Sequence, residues 1–370
     1  MARVPDLPPI PVSRPLTPDR DMLRELMDGI WERGWVTNNG PLVQELEGAV
    51  RADLDVPVAR LVGSGTQALF LALMLGRMRG HLPPGAEVIT TPLSFAASAN
   101  VIEAMGLTPV FADICPDRLV LTPDAIRACL SARTGAVLNV HLFGACGDLD
   151  GMADLARGEG LWLVHDAAHA FNVTLNGRGI GRAGHVSAFS LHATKLLHTA
   201  EGGVVTSEDD ALDRPIDEFR NFGLVERAPR GPGINAKMSE PHAAIGLALR
   251  ARARAEAEAR HRLRTRLDAL VDGAPALARP ALHPGQSTPL MYYPVLAPDQ
   301  ARRDRFLAAL KDSGIGARAY FPLLCGEGRA FPAAPVPVAA QAAERLLCLP
   351  FHSDVSAAHL EHIAVLARSL

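Results

Sequence analysis

From residue 58 onward, short apolar segments alternate with helical patterns, and this alternation constrains the fold more than any other feature of the chain. The apolar segments are VARLVG, EVITT, PVFADI, AVLNVHLFG, LWLVHDAA, HVSAFSL and GGVVTS. Segments this uniformly apolar are buried on both faces, as in a parallel sheet that helices cover. The alternation therefore predicts an α/β fold rather than an all-β fold.

The flanking segments predict the domain organisation. Thr17 and Pro18 are expected to begin the first helix, as its cap and first residue, and Gly34 to end it. Near the C-terminus, MYYPVLA and GARAYF read as strands. We predict an N-terminal arm (1–16), a large domain (17–250) and a smaller α+β domain (251–370), with a long linking helix at about 240–271.

Charge and cysteine usage exclude several classes of function. The formal net charge of −3 lacks the basic footprint of a nucleic-acid-binding protein. The apolar run ALFLALML is far too short to cross a bilayer. The five cysteines form no CxxC pair, so neither a zinc site nor a disulfide framework is indicated. We expect a soluble cytoplasmic protein with no nucleic-acid or membrane partner.

The stretch LVGSGTQAL predicts a strand that ends at Val62, a glycine-rich turn, and a helix that begins near Thr66. Such a turn presents backbone N–H groups and the positive end of a helix to an anion. The hydroxyls of Ser64 and Thr66 could add donors, although an ordinary strand-to-helix turn explains the stretch equally well. It is neither a P-loop nor a GxGxxG dinucleotide motif, which argues against a Rossmann-like oxidoreductase.

Asp166 ends the apolar segment LWLVHD, where an unpaired carboxylate would be costly to bury. One partner could be a metal ion, since His165 and His169 are nearby. On a strand, however, His165 points to the face opposite Asp166, so other ligands would have to come from elsewhere. A protonated heteroaromatic nitrogen is the better candidate, because one carboxylate matches one N–H⁺ group. We therefore expect no metal.

Lys195 follows the apolar segment HVSAFSL and precedes GGVVTS. Most lysines are solvated surface residues. A lysine held between two buried strands is instead desolvated, which lowers its pKa and makes the amine a nucleophile. An anion cradle, a carboxylate and a reactive lysine, in this chain order, fit pyridoxal 5'-phosphate.

Ten segments resemble one known family. They are WVTNNGPLVQELE, GSGTQAL, TTPLSFAASAN, FADI, VHDAAHAF, FSLHATKLLHTAEGG, RNFG, GINAKMSE, YFPLL and LCLPFH. In this order they resemble the DegT/DnrJ/StrS nucleotide-sugar aminotransferases, fold-type I pyridoxal phosphate enzymes, from about Trp35 to the C-terminus. The resemblance implies a three-layer α/β/α large domain with a mostly parallel sheet. The family's phenylalanine is Leu191 here, and its GEGG reads AEGG.

The resemblance also implies roles for individual residues. Lys195 would carry the cofactor as an internal aldimine, and Asp166 would pair with its ring nitrogen. Phe95 would stack on the ring unless it is plain core, and His169 would contact the ring hydroxyl unless it is merely packed. The phosphate would be held by Ser64, Gly65, Thr66 and Ser190, and by Asn235 from the neighbouring subunit of a homodimer. The expected substrate contacts are Trp35, Thr37, Asn38, Asn39, Arg220 and Tyr320.

Relatives with histidine at position 195 dehydrate the sugar, so Lys195 favours transamination. We expect L-glutamate to donate the amine to C4 of dTDP-4-keto-6-deoxy-D-glucose, giving dTDP-4-amino-4,6-dideoxyglucose. C3 amination of a dTDP-3-keto-6-deoxyhexose and amination of a UDP- or GDP-linked 4-keto-sugar remain alternatives. A non-catalytic binding protein of the same fold is a further alternative. The enzyme would serve deoxyamino-sugar biosynthesis for O-antigen or other polysaccharides.

Overall fold

The computed structural model describes residues 7–370, so the first six residues of the predicted arm lie outside it. Within this range the α-helices are α1 (Arg20–Arg33), α2 (Pro41–Asp53), α3 (Gly65–Met78), α4 (Ala97–Ala104), α5 (Pro123–Ala128), α6 (Leu149–Gly158), α7 (Asp213–Arg220), α8 (Glu240–Asp272), α9 (Gln300–Asp312), α10 (Pro337–Arg345) and α11 (Ala357–Arg368). The strands are β1 (Val58–Val62), β2 (Glu87–Thr90), β3 (Thr108–Phe111), β4 (Thr134–Val140), β5 (Trp162–Asp166), β6 (Thr174–Leu175), β7 (Arg178–Gly179), β8 (Val186–Ser190), β9 (Gly203–Ser207), β10 (Leu224–Val225), β11 (Ala228–Pro229), β12 (Tyr293–Leu296) and β13 (Leu346–Leu349).

One sheet holds seven of the strands, in the order β1-β9-β8-β5-β4-β2-β3. Parallel ladders join β8, β5, β4, β2 and β3. Strand β9 runs antiparallel to both of its neighbours, so β1 points the same way as the five parallel strands. Each of the seven strands overlaps an apolar segment noted in the sequence. The predicted α/β fold with a mostly parallel sheet is confirmed.

Both faces of this sheet are buried, which explains why its strands are apolar throughout. Successive residues of β5 point to opposite faces. Leu163 packs into one cluster with Leu155 of α6, and Val164 packs into another with Leu71 of α3. Helices therefore cover both sides, as the three-layer prediction requires.

Helix α1 begins later than the sequence predicted. The side chain of Asp19 accepts hydrogen bonds from the backbone N–H groups of Asp21 and Met22, at 3.1 and 3.0 Å. Asp19 is therefore the cap, and the prediction of a cap at Thr17 is wrong. A carboxylate satisfies two N–H groups and interacts favourably with the helix dipole, which a threonine hydroxyl cannot match. The helix ends at Gly34 as predicted, with φ 61°.

Helix α8 is continuous from Glu240 to Asp272, as predicted, and packs against α1 and α2 as well as against α11. Beyond it, β12 pairs antiparallel with β13. GARAYF is not a strand: Arg318 forms only an isolated bridge with Cys348, while Gly316 hydrogen-bonds to Ile10. The segment divides its backbone hydrogen bonds between two partners, so no regular ladder forms. The boundary at residue 250 stays a prediction.

The described part of the predicted arm is extended and tied down. Three histidine rings each hydrogen-bond a carbonyl of this segment or its continuation at 2.9 Å: His359 to Pro8, His352 to Pro11, and His198 to Leu16. His198 belongs to the loop that follows Lys195, whereas His352 and His359 lie beyond β13. The arm therefore touches both the large and the smaller part of the molecule.

Candidate active site

The carboxyl ends of β1, β5 and β8 meet at one edge of the sheet, and the residues expected to bind the cofactor lie there. Asp166 is the last residue of β5, Ser190 is the last residue of β8, and Ser64 follows β1. Crevices at the carboxyl ends of parallel strands are where α/β sheets bind their ligands. The loop between β8 and β9 places Lys195 at the same edge.

Asp166 is buried and bonded only to neutral donors. The hydroxyl of Ser98 donates to Oδ2 at 2.7 Å, and the backbone N–H of Ala168 donates to Oδ1 at 3.1 Å. Burial raises the pKa of the Asp166 carboxyl, and these two bonds and the charge of Lys195 lower it in part. A carboxylate in this environment gains from a cationic partner, which no hydrogen bond within residues 7–370 supplies.

Lys195 carries a desolvated amine. Burial lowers the pKa of this lysine to about 8, and the charge of Asp166 raises it in part. Its backbone N–H donates to the carbonyl of His192 at 2.8 Å, in a tight turn. An amine with a pKa near neutrality is available as a nucleophile or a base.

The ring of His169 is fixed by one hydrogen bond and by aromatic packing. The backbone N–H of Phe143 donates to Nδ1 at 3.2 Å, so the proton of the neutral ring lies on Nε2. The ring packs beside the rings of Phe143 and Phe321, which are nearly parallel to it, at centroid distances of 6.2 and 5.8 Å. Burial and the charge of Lys195 lower the pKa of His169, which keeps the ring neutral and leaves Nε2–H as a donor.

The turn after β1 has the form of an anion cradle. Ser64 caps α3 by accepting a hydrogen bond from the backbone N–H of Gln67, at 3.1 Å. Gly65 lies against β8: a Cβ added to it would be 2.9 Å from the Cβ of Ser190. The N–H groups of Gly65 and Thr66 belong to the first turn of α3 and have no partner within that helix. They are free to bind a phosphate.

Phe95 is exposed over 61% of its surface, although it lies beside buried residues. Its ring centroid is 6.1 Å from that of Phe321. Ser94, next to it, is within 2.8 Å of Ser98, which bonds Asp166. The prediction that Phe95 could be plain core does not fit this exposure, and the stacking role stays a prediction.

The loop from Trp35 to Asn39, which is expected to contact the substrate, is anchored by Glu240. Its members Trp35, Thr37 and Asn38 are exposed. The backbone N–H of Glu240 donates to the carbonyl of Val36 at 2.9 Å, and its carboxylate accepts from the N–H groups at the start of α2. The loop is therefore fixed at its base and open at its tip.

Two other expected substrate contacts differ in position. Tyr320 lies near His169, because it adjoins Phe321 and its ring is 5.5 Å from that of Tyr292. Arg220 is only 2% exposed. Its N–H groups donate to carboxylates of Glu47 and Asp217, to the carbonyl of Leu61 and, at 3.4 Å, to the side chain of Asn39. Arg220 is thus engaged within the chain, and its contact with substrate stays a prediction.

No other region of residues 7–370 combines as many features of a binding site. A groove of about 900 Å³ lies along α6 and the β6–β7 hairpin, away from Lys195. Its arginines are paired with surface carboxylates, as Arg157 is with Asp154. No group of three or more potential metal ligands lies close enough together in residues 7–370. In the same range no helix combines the length and apolarity needed to span a membrane.

Comparison with known proteins establishes the family. The model of the "DegT/DnrJ/EryC1/StrS aminotransferase family" matches residues 19–366. The chain belongs to this aminotransferase family. It is 33% identical, over 94% of its length and 95% of the relative, to "dTDP-4-amino-4,6-dideoxy-D-glucose transaminase" of Escherichia coli. It is 34% identical, over 84% and 83%, to "Spore coat polysaccharide biosynthesis protein SpsC" of Bacillus subtilis (strain 168).

A solved structure, "Crystal Structure Analysis of DesI in the presence of its TDP-sugar product", matches with a TM-score of 0.88. Its sequence is 33% identical, and the match covers 98% of this chain and 92% of the other. The enzyme is therefore an aminotransferase that depends on pyridoxal 5'-phosphate, like others of its family.

The residues present fit this cofactor. A Cβ on Gly65 would collide with Ser190, so only glycine lets the turn after β1 lie this close to the end of β8. The backbone N–H groups of the turn and the Ser190 hydroxyl can then face the same phosphate. The desolvated carboxylate of Asp166 suits a ring N–H⁺, and Lys195 supplies a primary amine. These are the positions that the resemblance predicted, although each individual contact with the cofactor stays a prediction.

Three residues near this aminotransferase site were missed in the sequence. Ser98 bonds Asp166, Phe321 stacks on His169, and Glu240 anchors the loop of Trp35. Each acts on a residue far away in the chain. All three lie in segments that resemble the family, namely TTPLSFAASAN, YFPLL and GINAKMSE. Nothing within those segments marked their partners, which only the fold brings near.

Proposed function

We propose that this aminotransferase moves the amino group of L-glutamate to C4 of dTDP-4-keto-6-deoxy-D-glucose, giving dTDP-4-amino-4,6-dideoxyglucose. The desolvated amine of Lys195 beside Asp166 is the observation that carries the chemistry. The substrate is supported by the name of the Escherichia coli relative and by the TDP-sugar product in the DesI structure.

When bound, the cofactor supplies an electron-withdrawing ring that takes up the electron pair of the bond broken at the α-carbon of glutamate. Asp166 keeps the ring nitrogen protonated, because a buried carboxylate favours a cation beside it. Ser98 and the N–H of Ala168 hold the carboxylate in place at 2.7 and 3.1 Å.

Lys195 would have two tasks in this proposal: it would carry the cofactor between turnovers, and it would move a proton during each half-reaction. As a free amine it takes the proton from the α-carbon of glutamate and delivers it to the cofactor carbon that will bear the amine. With a pKa of about 8, roughly a tenth of the amine is uncharged at pH 7, far more than for an ordinary lysine. The same proton transfer in reverse completes the second half-reaction.

The sugar nucleotide would be positioned by the loop from Trp35 to Asn39, whose exposed tip lies above the base fixed by Glu240. Contacts to the nucleotide orient the ketone without taking part in the reaction, and such remote binding energy can be spent on positioning. Tyr320 lies on the His169 side of the site, where it could contact the sugar.

A panel assay tests the substrate. Purified enzyme is given L-glutamate with dTDP-, UDP- and GDP-linked 4-keto-sugars and with a dTDP-3-keto-6-deoxyhexose, and the position of the new amine is assigned by NMR. We expect amination at C4 with the dTDP sugar preferred. Preference for the 3-keto-sugar, or for another nucleotide, would replace the proposed substrate. Amination of plain keto acids alone would contradict the substrate class.

We further propose a homodimer in which Asn235 reaches the cofactor phosphate of the partner subunit. The test mixes Lys195→Ala chains with Asn235→Ala chains. In a shared arrangement, one of the two sites of the mixed dimer has both residues intact, so part of the activity returns. If mixing restores nothing, Asn235 acts within its own chain or has no role in the reaction.

We also propose that the enzyme acts in the cytoplasm. All five cysteines are unpaired thiols, and burial raises the pKa of several of them, including Cys146 to about 12. Such thiols suit a reducing compartment. Cell fractionation with an antibody against the native protein would test this, and recovery outside the cytoplasm would contradict it.

A further inference from the structure

The segment 235–237 runs beside the phosphate cradle of its own chain. The backbone N–H of Gly63 donates to the carbonyl of Ala236 at 2.9 Å, and Val62 forms an antiparallel bridge with Lys237. Gly63 directly precedes Ser64, the cap of α3. The backbone around Asn235 is therefore fixed to the turn that forms the cradle.

Lys237 fixes the side chain of Asn235 as well. Its Nζ donates to Oδ1 of Asn235 at 2.9 Å. An ammonium group has three donors and no acceptor, so the amide atom that faces it must be the oxygen. This settles the orientation of the amide by chemistry: the two N–H bonds of Nδ2 face away from Lys237. Among residues 7–370 no acceptor receives them, so Asn235 presents unused donors.

Lys237 is itself held by an aromatic ring. Its Nζ lies 4.6 Å from the ring centroid of Phe222, a cation–π contact. Phe222 is half exposed. No carboxylate within residues 7–370 forms an ion pair with Lys237. The lysine therefore has a fixed position without an acidic partner that would compete for it.

We propose that Lys237 is a positioning residue that orients the Asn235 amide, so that its N–H bonds point at the phosphate of the cofactor bound in the partner subunit. This rests on the proposed function, in which Asn235 contacts that phosphate. Lys237 acts through Asn235 and does not itself touch the cofactor. An amide free to rotate would present its oxygen to the phosphate part of the time, which is repulsive, and would lose rotamer freedom on binding.

The experiment measures cofactor affinity instead of turnover. Full-length protein is freed of cofactor and titrated with pyridoxal 5'-phosphate and, separately, with pyridoxal, which lacks the phosphate. Binding is followed by absorbance. The variants are Asn235→Ala, Lys237→Met, the double variant, and Lys237→Arg, which keeps both a donor and a charge. Lys311→Met on the exposed surface of α9 is the matched control.

We expect Asn235→Ala to weaken binding of pyridoxal 5'-phosphate about tenfold to a hundredfold, as for a hydrogen bond to a charged group. Lys237→Met should weaken it about threefold to tenfold. In the Asn235→Ala background, Lys237→Met should add no further loss. Lys237→Arg should restore most of the affinity. Binding of pyridoxal should be the same in all variants, and Lys311→Met should match the native protein.

Two outcomes would overturn the inference alone. One is that Asn235→Ala loses affinity for pyridoxal 5'-phosphate as expected while Lys237→Met keeps full affinity. The other is a loss in Lys237→Met that persists in the Asn235→Ala background or extends to pyridoxal, since that would indicate a general structural role. Full affinity in Asn235→Ala would instead overturn the phosphate contact of the proposed function, and the inference with it.

Discussion

Two groups of charged residues near the cofactor edge of the sheet, each with buried members, are built in opposite ways. The first, called the Arg220 cluster, comprises Glu47, Arg60, Asp213, Asp217 and Arg220. In it every charge has a partner: Arg220 bonds Glu47 and Asp217, and Arg60 bonds Glu47 at 3.1 Å and Asp213 at 2.7 Å. Such a closed network holds elements together, here β1, α2 and α7.

The second group, Asp166 and Lys195, is left open. The two charges influence each other, yet within residues 7–370 they form no ion pair with each other or with any other side chain. Asp166 accepts hydrogen bonds only from neutral donors. The comparison teaches that pairing, more than burial, separates a charge that holds the fold together from one that is open to a ligand. Buried groups without a partner are the ones that a ligand completes.

The largest effect is expected for Lys195→Arg. It keeps a positive charge and removes the reactive amine, so we expect activity to fall on the order of 10³-fold or more. Borohydride reduction followed by peptide mapping checks the linkage, and the chain has only two other lysines, Lys237 and Lys311. In the native protein the label should be on Lys195 alone. A label on either of the others would refute the assignment, and Lys311→Arg is the control.

Next comes Arg220→Met, which breaks the closed cluster. It leaves Glu47 buried without its main cation, so we expect the free energy of unfolding to fall by about 3–5 kcal/mol. Urea unfolding measures this. Adding Glu47→Gln to Arg220→Met should recover part of the loss, because the stranded charge is removed. A fall below about 1 kcal/mol in the single variant would mean that Arg220 is kept for the substrate instead.

Asp166→Asn should have the opposite effect to Arg220→Met: a loss of activity without a loss of stability. The amide keeps the shape of the carboxylate but cannot hold the ring nitrogen protonated, so activity should fall on the order of 10²-fold. The cofactor-free protein should be as stable as the native one or slightly more so, because a desolvated charge has been removed. A strong loss of stability in the same urea experiment would place Asp166 with the structural charges.

The smallest effect is a change in pH dependence. The rate at which cofactor-free protein captures pyridoxal should rise with pH up to about 8 and then level off, as the amine of Lys195 loses its proton. Asp166 raises the pKa of Lys195, so Asp166→Asn should move this profile to lower pH. Stopped-flow absorbance gives the rates. A profile that keeps rising beyond pH 9 would indicate an ordinary, solvated lysine.

The sequence predicted the open group better than the closed one. A carboxylate at the end of an apolar strand and a lysine between two such strands are local anomalies, and each is visible within ten residues. Arg220 offers no such anomaly, because its partners Glu47 and Leu61 come from distant elements, and its burial could not be read from the chain. Its predicted contact with substrate came from the family resemblance alone, and it stays a prediction.

The difference between local sequence signals and contacts with distant elements also explains which parts of the fold were predicted wrongly. The seven strands of the large sheet were recognised because burial on both faces requires consecutive apolar residues, which are visible in the sequence. The cap of α1 was misplaced by two residues, since Thr17 and Asp19 are both good caps and the sequence does not choose between them. GARAYF looked like a strand, but its partners are the arm and a single residue of β13.

The three histidine contacts of the arm have a consequence for the loop of Lys195. Leu16 is bonded by His198 of that loop, whereas Pro8 and Pro11 are bonded by His359 and His352 near the C-terminus. One extended segment thus connects the loop of Lys195 to residues more than 150 positions away in the chain. A substitution that breaks the contacts of Pro8 or Pro11 would therefore loosen the support of that loop from a distance.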